Sequence, residues 1–159
     1  MNQREHVLNA ALLGVGLAYV LEPSGGIVTF RTAAAVGVPV VLGALFPDVD
    51  AHYGRHRKAL HNLAVLGFFI AFPAVFGNLQ WVWLGVLTHY VLDIAGSRRG
   101  IALFYPVWKR EFGLPVGVPV ASSHSGIVTV LITVVEVGAA AAVVWYAPPT
   151  VVEAATALV

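Results

Sequence analysis

Five long apolar runs, at 7–21, 27–46, 61–76, 79–95 and 126–147, leave this chain few folds to choose from. A helix needs roughly 20 apolar residues to cross a bilayer, and each run approaches or reaches that length. None carries the polar face that a surface helix of a soluble protein shows. Composition agrees: 58% of the residues are hydrophobic, 11% are charged, and the mean hydropathy is +0.83. The expected fold is all-α, a polytopic transmembrane helical bundle of about five spans, with residues 1–159 forming a single integral membrane domain. The first run, behind a basic start, could pass for the core of a signal peptide, but no A-x-A site follows it and further apolar runs do.

The connections divide into two kinds. Glu22-Pro23-Ser24-Gly25-Gly26 and Gly77-Asn78 read as short turns, and Pro73 is expected to kink the third span. The stretches 47–60 and 96–125 are longer and polar, and the second interleaves Phe104, Tyr105 and Trp108 with Lys109 and Arg110, as interfacial or re-entrant segments do. With five spans, these two stretches and the N-terminus lie on one side of the bilayer. That side holds Arg4, Arg55, Arg57, Lys58, Arg98, Arg99, Lys109 and Arg110, eight of the nine Lys and Arg, with only Arg31 opposite. The positive-inside rule makes it cytoplasmic and puts the C-terminus outside, in a plasma membrane. A net charge of +1 gives no reason to expect nucleic acid as a partner.

The histidines play no part in that topology, yet His6, His52, His56, His61, His89 and His124 all fall at its cytoplasmic end. The three aspartates, Asp48, Asp50 and Asp93, fall there too. His89 and Asp93 stand at i and i+4, on one helix face. Each feature has a plainer reading: Asp93 merely orients His89, Pro47-Asp48-Val49-Asp50 is a helix stop, and His52, His56 and Arg57 form a wetted basic loop. His61 and His89 are harder to dismiss, because an imidazole against hydrocarbon needs a buried partner. Cys is absent, which excludes thiolate zinc sites, iron–sulfur clusters and disulfides, so any metal sits on imidazole and carboxylate. That mixture suits zinc first, with manganese or iron as alternatives, and about one to three ions. Glu136 lies about 18 Å along its helix from His124, too deep for the same centre, and is expected to face the bundle interior beside another polar group. Ser122-Ser123-His124-Ser125 does not make a serine nucleophile, since adjacent side chains diverge.

His6, Leu45-Phe46-Pro47-Asp48-Val49-Asp50, His56-Arg57 followed by His61, Thr88-His89 with Asp93, Gly100 and Pro106 together resemble the YdjM-type family of membrane-bound metal-dependent hydrolases. The family is similar, more distantly, to zinc-dependent phospholipase C and single-strand nuclease enzymes, whose His-x-x-x-Asp helix pair His89 and Asp93 match. The resemblance implies ligand roles for His6, Asp48 or Asp50, His61, His89 and Asp93, and topology adds His124. Asn62 stands where the family often has Ser. The function these residues lead us to expect is hydrolysis of a phosphate ester or phospholipid at the cytoplasmic interface. Asp48 or Asp50 would be the general base, and His56, Arg57, Arg98 and Arg99 would draw in the anionic group. The alternatives are a non-catalytic metal-binding or lipid-binding membrane protein, a transporter, for which only Glu136 offers a polar path, and a haem carrier, which the mixing of His with carboxylates disfavours.

Overall fold

The computed structural model describes residues 1–53, 57–119, 122–148 and 150. Among the described residues there are five α-helices, α1 Gln3–Leu21, α2 Ile27–Leu45, α3 Leu63–Phe76, α4 Val82–Ala95 and α5 Ser125–Tyr146, with a 3-10 helix at Pro47–Tyr53 after α2. Among the described residues there is no strand beyond two isolated bridges, Ser97 to Val118 and Ile101 to Phe112. The expected all-α class is therefore found, with a helix at each of the five apolar runs.

Local chemistry explains where the helices begin and end. Asn2 and Glu5 form a reciprocal capping box at the start of α1, so two otherwise unpaired backbone donors are satisfied. Asn62 caps α3 by accepting from Val65 N–H at 3.1 Å, and Gly77, at φ 67°, ends it in the left-handed conformation that glycine adopts without strain. α3 thus starts at Leu63 and not at His61, because His61 and Asn62 are used by the entry turn. α4 starts at Val82 and not at 79, because Leu79 and Trp81 both have positive φ.

Length and apolar composition together set two helices apart. Ile27–Ala51, which runs from α2 through the start of the 3-10 turn, and Ser125–Tyr146 are long and apolar enough to cross a membrane. α3 and α4 have 14 residues each, about 21 Å at 1.5 Å per residue, short of a hydrocarbon core of about 30 Å. α1 packs on α2 and α5, and α2 packs on α4. Two crossings are possible only for glycine. A Cβ on Gly43 would lie 2.0 Å from the carbonyl oxygen of Val82, and one on Gly85 would lie 2.0 Å from that of Val40. α2 and α4 therefore touch backbone to backbone. α1 and α2 make a similar approach at Gly14 and Gly37.

Ser125 Oγ donates to Glu5 Oε1 at 2.8 Å at one end of the bundle, and Trp145 Nε1 donates to the Val20 carbonyl at 3.3 Å at the other. α1 and α5 therefore run parallel, as the first and last members of an alternating up-and-down series must. One apolar core, of Ala10, Leu13, Leu17, Val36, Val40 and Ala44, fills the α1–α2 contact. A second, of Leu66, Phe69, Val82, Val86, Tyr90 and Ile101, joins α3, α4 and the segment after α4. Between them, where the start of α1, the ends of α2 and α4 and the start of α3 meet, lies the polar cluster.

Candidate metal centre

The i, i+4 spacing of His89 and Asp93 places both on the inner face of α4, and both are buried. His89 Nδ1 donates to the carbonyl oxygen of Ala44 at 2.6 Å. Ala44 belongs to the last turn of α2, whose carbonyls have no partner within the helix, so the imidazole completes that helix end. The opposite nitrogen, Nε2, is left as the acceptor.

His61 is fixed in the same manner by a different group. Asp50 Oδ2 accepts from the backbone N–H of Leu60 at 3.1 Å and from His61 Nδ1 at 3.2 Å. The Tyr90 hydroxyl donates to the Leu60 carbonyl at 2.6 Å and accepts from Asn62 N–H at 3.1 Å, pinning the turn that carries His61. Both imidazoles thus use Nδ1 as a donor and present Nε2 lone pairs, and these two atoms face one another at 3.1 Å. Two lone pairs at that distance repel unless a cation or a proton stands between them.

The remaining neighbours are anionic. Asp93 Oδ2 lies 3.8 Å from each of the two Nε2 atoms, is buried, and has no hydrogen-bond partner among the described residues. Asp48 Oδ1 lies 3.7 Å from His89 Nε2. Bonds of 2.0–2.2 Å to a tetrahedral ion put ligand atoms about 3.4 Å apart, and the observed spacings of 3.1–3.8 Å bracket that value. His6 extends the cluster. Its ring stacks on His89 at 3.6 Å between centroids and 7° between planes, and its Nε2 is 3.5 Å from Asp93 Oδ1. Neither His6 nitrogen has a hydrogen bond among the described residues, which is unusual for a buried imidazole. Two groups result, His6–His89–Asp93 and Asp48–His61–His89, each with its ligand atoms within 4.8 Å of one another and sharing His89. The residues fit a divalent ion, on the evidence of orphaned buried atoms and a mixed imidazole and carboxylate donor set.

Burial grades across the cluster. His61 and His89 are 0% exposed, His6 and Asp93 1%, and Asp48 17%, so Asp48 is its edge toward the outside. Asp93 Oδ1 meets cations: the α-amino group of Met1, and Arg57 Nη2 at 3.5 Å. The rest of the Arg57 guanidinium faces the segment after α4, with Nη1 donating to Ser97 Oγ at 3.2 Å and to the carbonyl of Arg99. Arg57 also accepts from Ala102 N–H at 3.0 Å through its backbone carbonyl, so it staples the 97–102 segment over the centre.

Several residues chosen from the sequence sit differently from the pattern that singled them out. Asp50 is buried and orients His61 from behind, while Asp48 faces the cluster. His124 is exposed at the start of α5, stands outside both ligand groups, and has its backbone N–H bonded to Ser122 Oγ at 3.2 Å. Its helix end reaches the right layer, but the 122–124 turn leaves the ring at the surface. Arg57 is buried, unlike a residue of an open basic loop. Arg98 and Arg99 are exposed, and Arg99 pairs with Glu111 at 3.2 Å, which raises the guanidinium pKa further. His56 and Arg55 lie outside the described residues. Asn62, the departure from the usual Ser, caps α3. Sequence reasoning missed the Ala44 carbonyl, for which no side chain could signal, and Tyr90, whose hydroxyl beside His89 in an apolar helix was a usable clue.

Glu136 belongs to a second polar group. Its carboxyl contacts Thr88 of α4 and Asn9 of α1, on the bundle-facing side of α5.

No curated protein and no solved structure matches this chain. The family model described as YdjM inner membrane protein matches residues 1–158. That match spans nearly the whole sequence and includes every residue of the cluster: the chain belongs to the YdjM inner membrane protein family.

Proposed function

We propose that the cluster is the metal centre of a hydrolase acting on a phosphate ester, of lipid or lipid-like type, at the cytoplasmic face of the membrane. The observation that carries this reading is the pair of opposed Nε2 atoms of His61 and His89, next to the unpartnered Asp93 Oδ2. A divalent ion, zinc before manganese or iron, would be held by Asp48, His61, His89 and Asp93, or by His6, His89 and Asp93, since the single Nε2 lone pair of His89 serves one ion at a time. Such ions supply Lewis acidity to a phosphoryl oxygen and a more acidic water at neutral pH.

The chain's own residues supply the rest. Asp50 and the Ala44 carbonyl engage Nδ1 of the two imidazoles and so turn their Nε2 atoms toward one another. Asp48, the most exposed member, stands at the mouth of the site, where the carboxylate oxygen not given to the ion would take a proton. Arg57 holds the covering segment down, while the exposed Arg98 and Arg99 give an anionic headgroup a positive approach. Phe104, Trp108 and the nearly bare Val107 put apolar surface on that same segment, as a stretch lying in the headgroup region would. All five helices lie in the membrane in this reading, α3 and α4 as short members, with the amino terminus cytoplasmic and residues 1–159 one membrane domain. Its supports are the basic residues that the sequence gathers in the N-terminus and the 47–60 and 96–125 stretches, and the parallel course of α1 and α5.

The near-complete burial of His6, His61, His89 and Asp93 favours a second reading, a structural metal centre without turnover. Metal content of the purified membrane protein, measured by mass spectrometry for wild type and for His61→Ala/His89→Ala/Asp93→Ala, tests the common premise. About one to three equivalents in wild type and none in the folded variant is the expected result. Equal emptiness after metal has been offered removes both readings. Loaded protein that cleaves no phosphodiester or phospholipid leaves the structural one.

A further inference from the structure

The second polar group, which the metal centre does not use, joins three helices through a closed ring of contacts. Asn9 of α1 touches Thr88 of α4 with Oδ1 at 2.5 Å from Oγ1. Thr88 Oγ1 is also 2.6 Å from Glu136 Oε1 of α5. Glu136 Oε2 closes the ring, 2.8 Å from Asn9 Nδ2. Outside the ring, Asn9 Nδ2 also donates to Thr133 Oγ1 at 2.8 Å, and Thr133 donates to the Thr129 carbonyl at 2.9 Å.

A contact of this length between two polar heavy atoms needs one hydrogen between them. The ring has three contacts and so needs three hydrogens. Thr88 has one hydroxyl hydrogen, which serves one contact. The Asn9 amide presents its oxygen to one ring neighbour and its NH₂ to the other, so it serves one more. Turning the amide over exchanges the two ends without changing that number, which makes the count independent of how oxygen and nitrogen are assigned. Two donors cannot satisfy three contacts. The missing hydrogen can only be on Glu136.

We infer that Glu136 is a carboxylic acid in the folded protein and that Asn9, Thr88 and Glu136 form a proton-binding site separate from the metal cluster. In the amide orientation observed, Glu136 Oε1–H donates to Thr88 Oγ1, the Thr88 hydroxyl donates to Asn9 Oδ1, and Asn9 Nδ2 donates to Glu136 Oε2. The surroundings agree. Glu136 is half-buried on a helix whose outer face is apolar and largely uncovered, with Val134 and Val135 beside it, where a carboxylate charge would be costly. Among the described residues no cation contacts it. The partners facing it are the neutral Asn9 from α1 and Thr88 from α4, and the nearest titratable groups along those helices are His6 and His89, which face the metal cluster. A proton held here ties α1, α4 and α5 together at a point one residue from His89 and three residues from His6.

Infrared spectra of the full-length protein in lipid at neutral pH read this directly through the carboxylic acid C=O stretch. The difference between wild type and Glu136→Gln is expected to show one acid band, present only in wild type and shifted in D₂O. Glutamine brings its own NH₂ and restores the third donor, so this variant is expected to fold. Thr88→Val keeps the carboxyl but removes its acceptor, and should move the band to higher frequency. A wild-type difference signal in the carboxylate region instead, or an acid band that Thr88→Val leaves unmoved, overturns the inference. Neither readout depends on metal content, so the outcome is separable from that of the metal reading.

Discussion

Two polar groups lie one above the other in this bundle and differ in their hydrogen-bond accounts. The ring of Asn9, Thr88 and Glu136 closes on itself once a single proton is placed, and every ring atom then has a partner. The cluster of His6, Asp48, His61, His89 and Asp93 does not close: two lone pairs oppose each other, and one buried carboxylate oxygen and both His6 nitrogens lack hydrogen bonds among the described residues. The difference teaches how to tell a polar group that holds helices together from one built to receive something. Both bring polar side chains from several helices together inside the bundle, the ring with an amide, a hydroxyl and a half-buried carboxyl, the cluster with imidazoles and carboxylates. Satisfaction is what tells their purposes apart.

The comparison can be broken most directly at His89, which both ligand groups share. His89→Ala is expected to abolish stoichiometric metal binding, read by metal content after gel filtration. Retention of wild-type metal would remove the cluster from consideration. Next in size is Asp50→Asn, which keeps the shape but weakens the hold on His61 Nδ1. A 10–100-fold loss of metal affinity is expected by competition titration. Lowering the pH should also empty the cluster, because imidazole must be neutral to bind metal. Affinity is expected to fall as the pH is lowered and protons compete with the ion for the imidazole nitrogens, and to be recovered on return. The ring predicts a smaller effect: Thr88→Val should lower stability by about 1 kcal/mol, the usual scale for a side-chain bond between membrane helices, without loss of metal. Smallest of all, His124→Ala should leave metal content unchanged. A loss there would show that the exposed ring swings into the centre.

The helices were legible because apolar runs punctuated by Pro, Gly and Asn leave little else. Their starts were less so: Asn62 caps α3 with its side chain, and the positive φ at Leu79 and Trp81 that delays α4 has no clear signature in those residue types. Within the site, His89 and Asp93 could be paired from spacing alone, and His6 and His61 from the layer in which their helices begin. The division of labour between Asp48 and Asp50 could not, because it depends on how a 3-10 turn rotates two residues that are two positions apart. Arg57 reads as solvated in a basic stretch, and its burial follows from a left-handed backbone and from the segment folded over it. Asn9, Thr88 and Thr133 are ordinary residues on three separate helices, and only the packing makes them neighbours of Glu136.

The contact between Gly43 and Gly85 has a reach beyond helix packing. Gly43 precedes Ala44, whose carbonyl holds His89, and Gly85 stands one turn before His89 on the same face of α4. The spacing between the end of α2 and the imidazole is thus gauged by main chain resting on main chain, with no side chain in between to yield. Lipid-facing residues around the bundle are free to vary while the bore of the centre stays the same, and a single methyl group at either glycine would act as a wedge that resizes it.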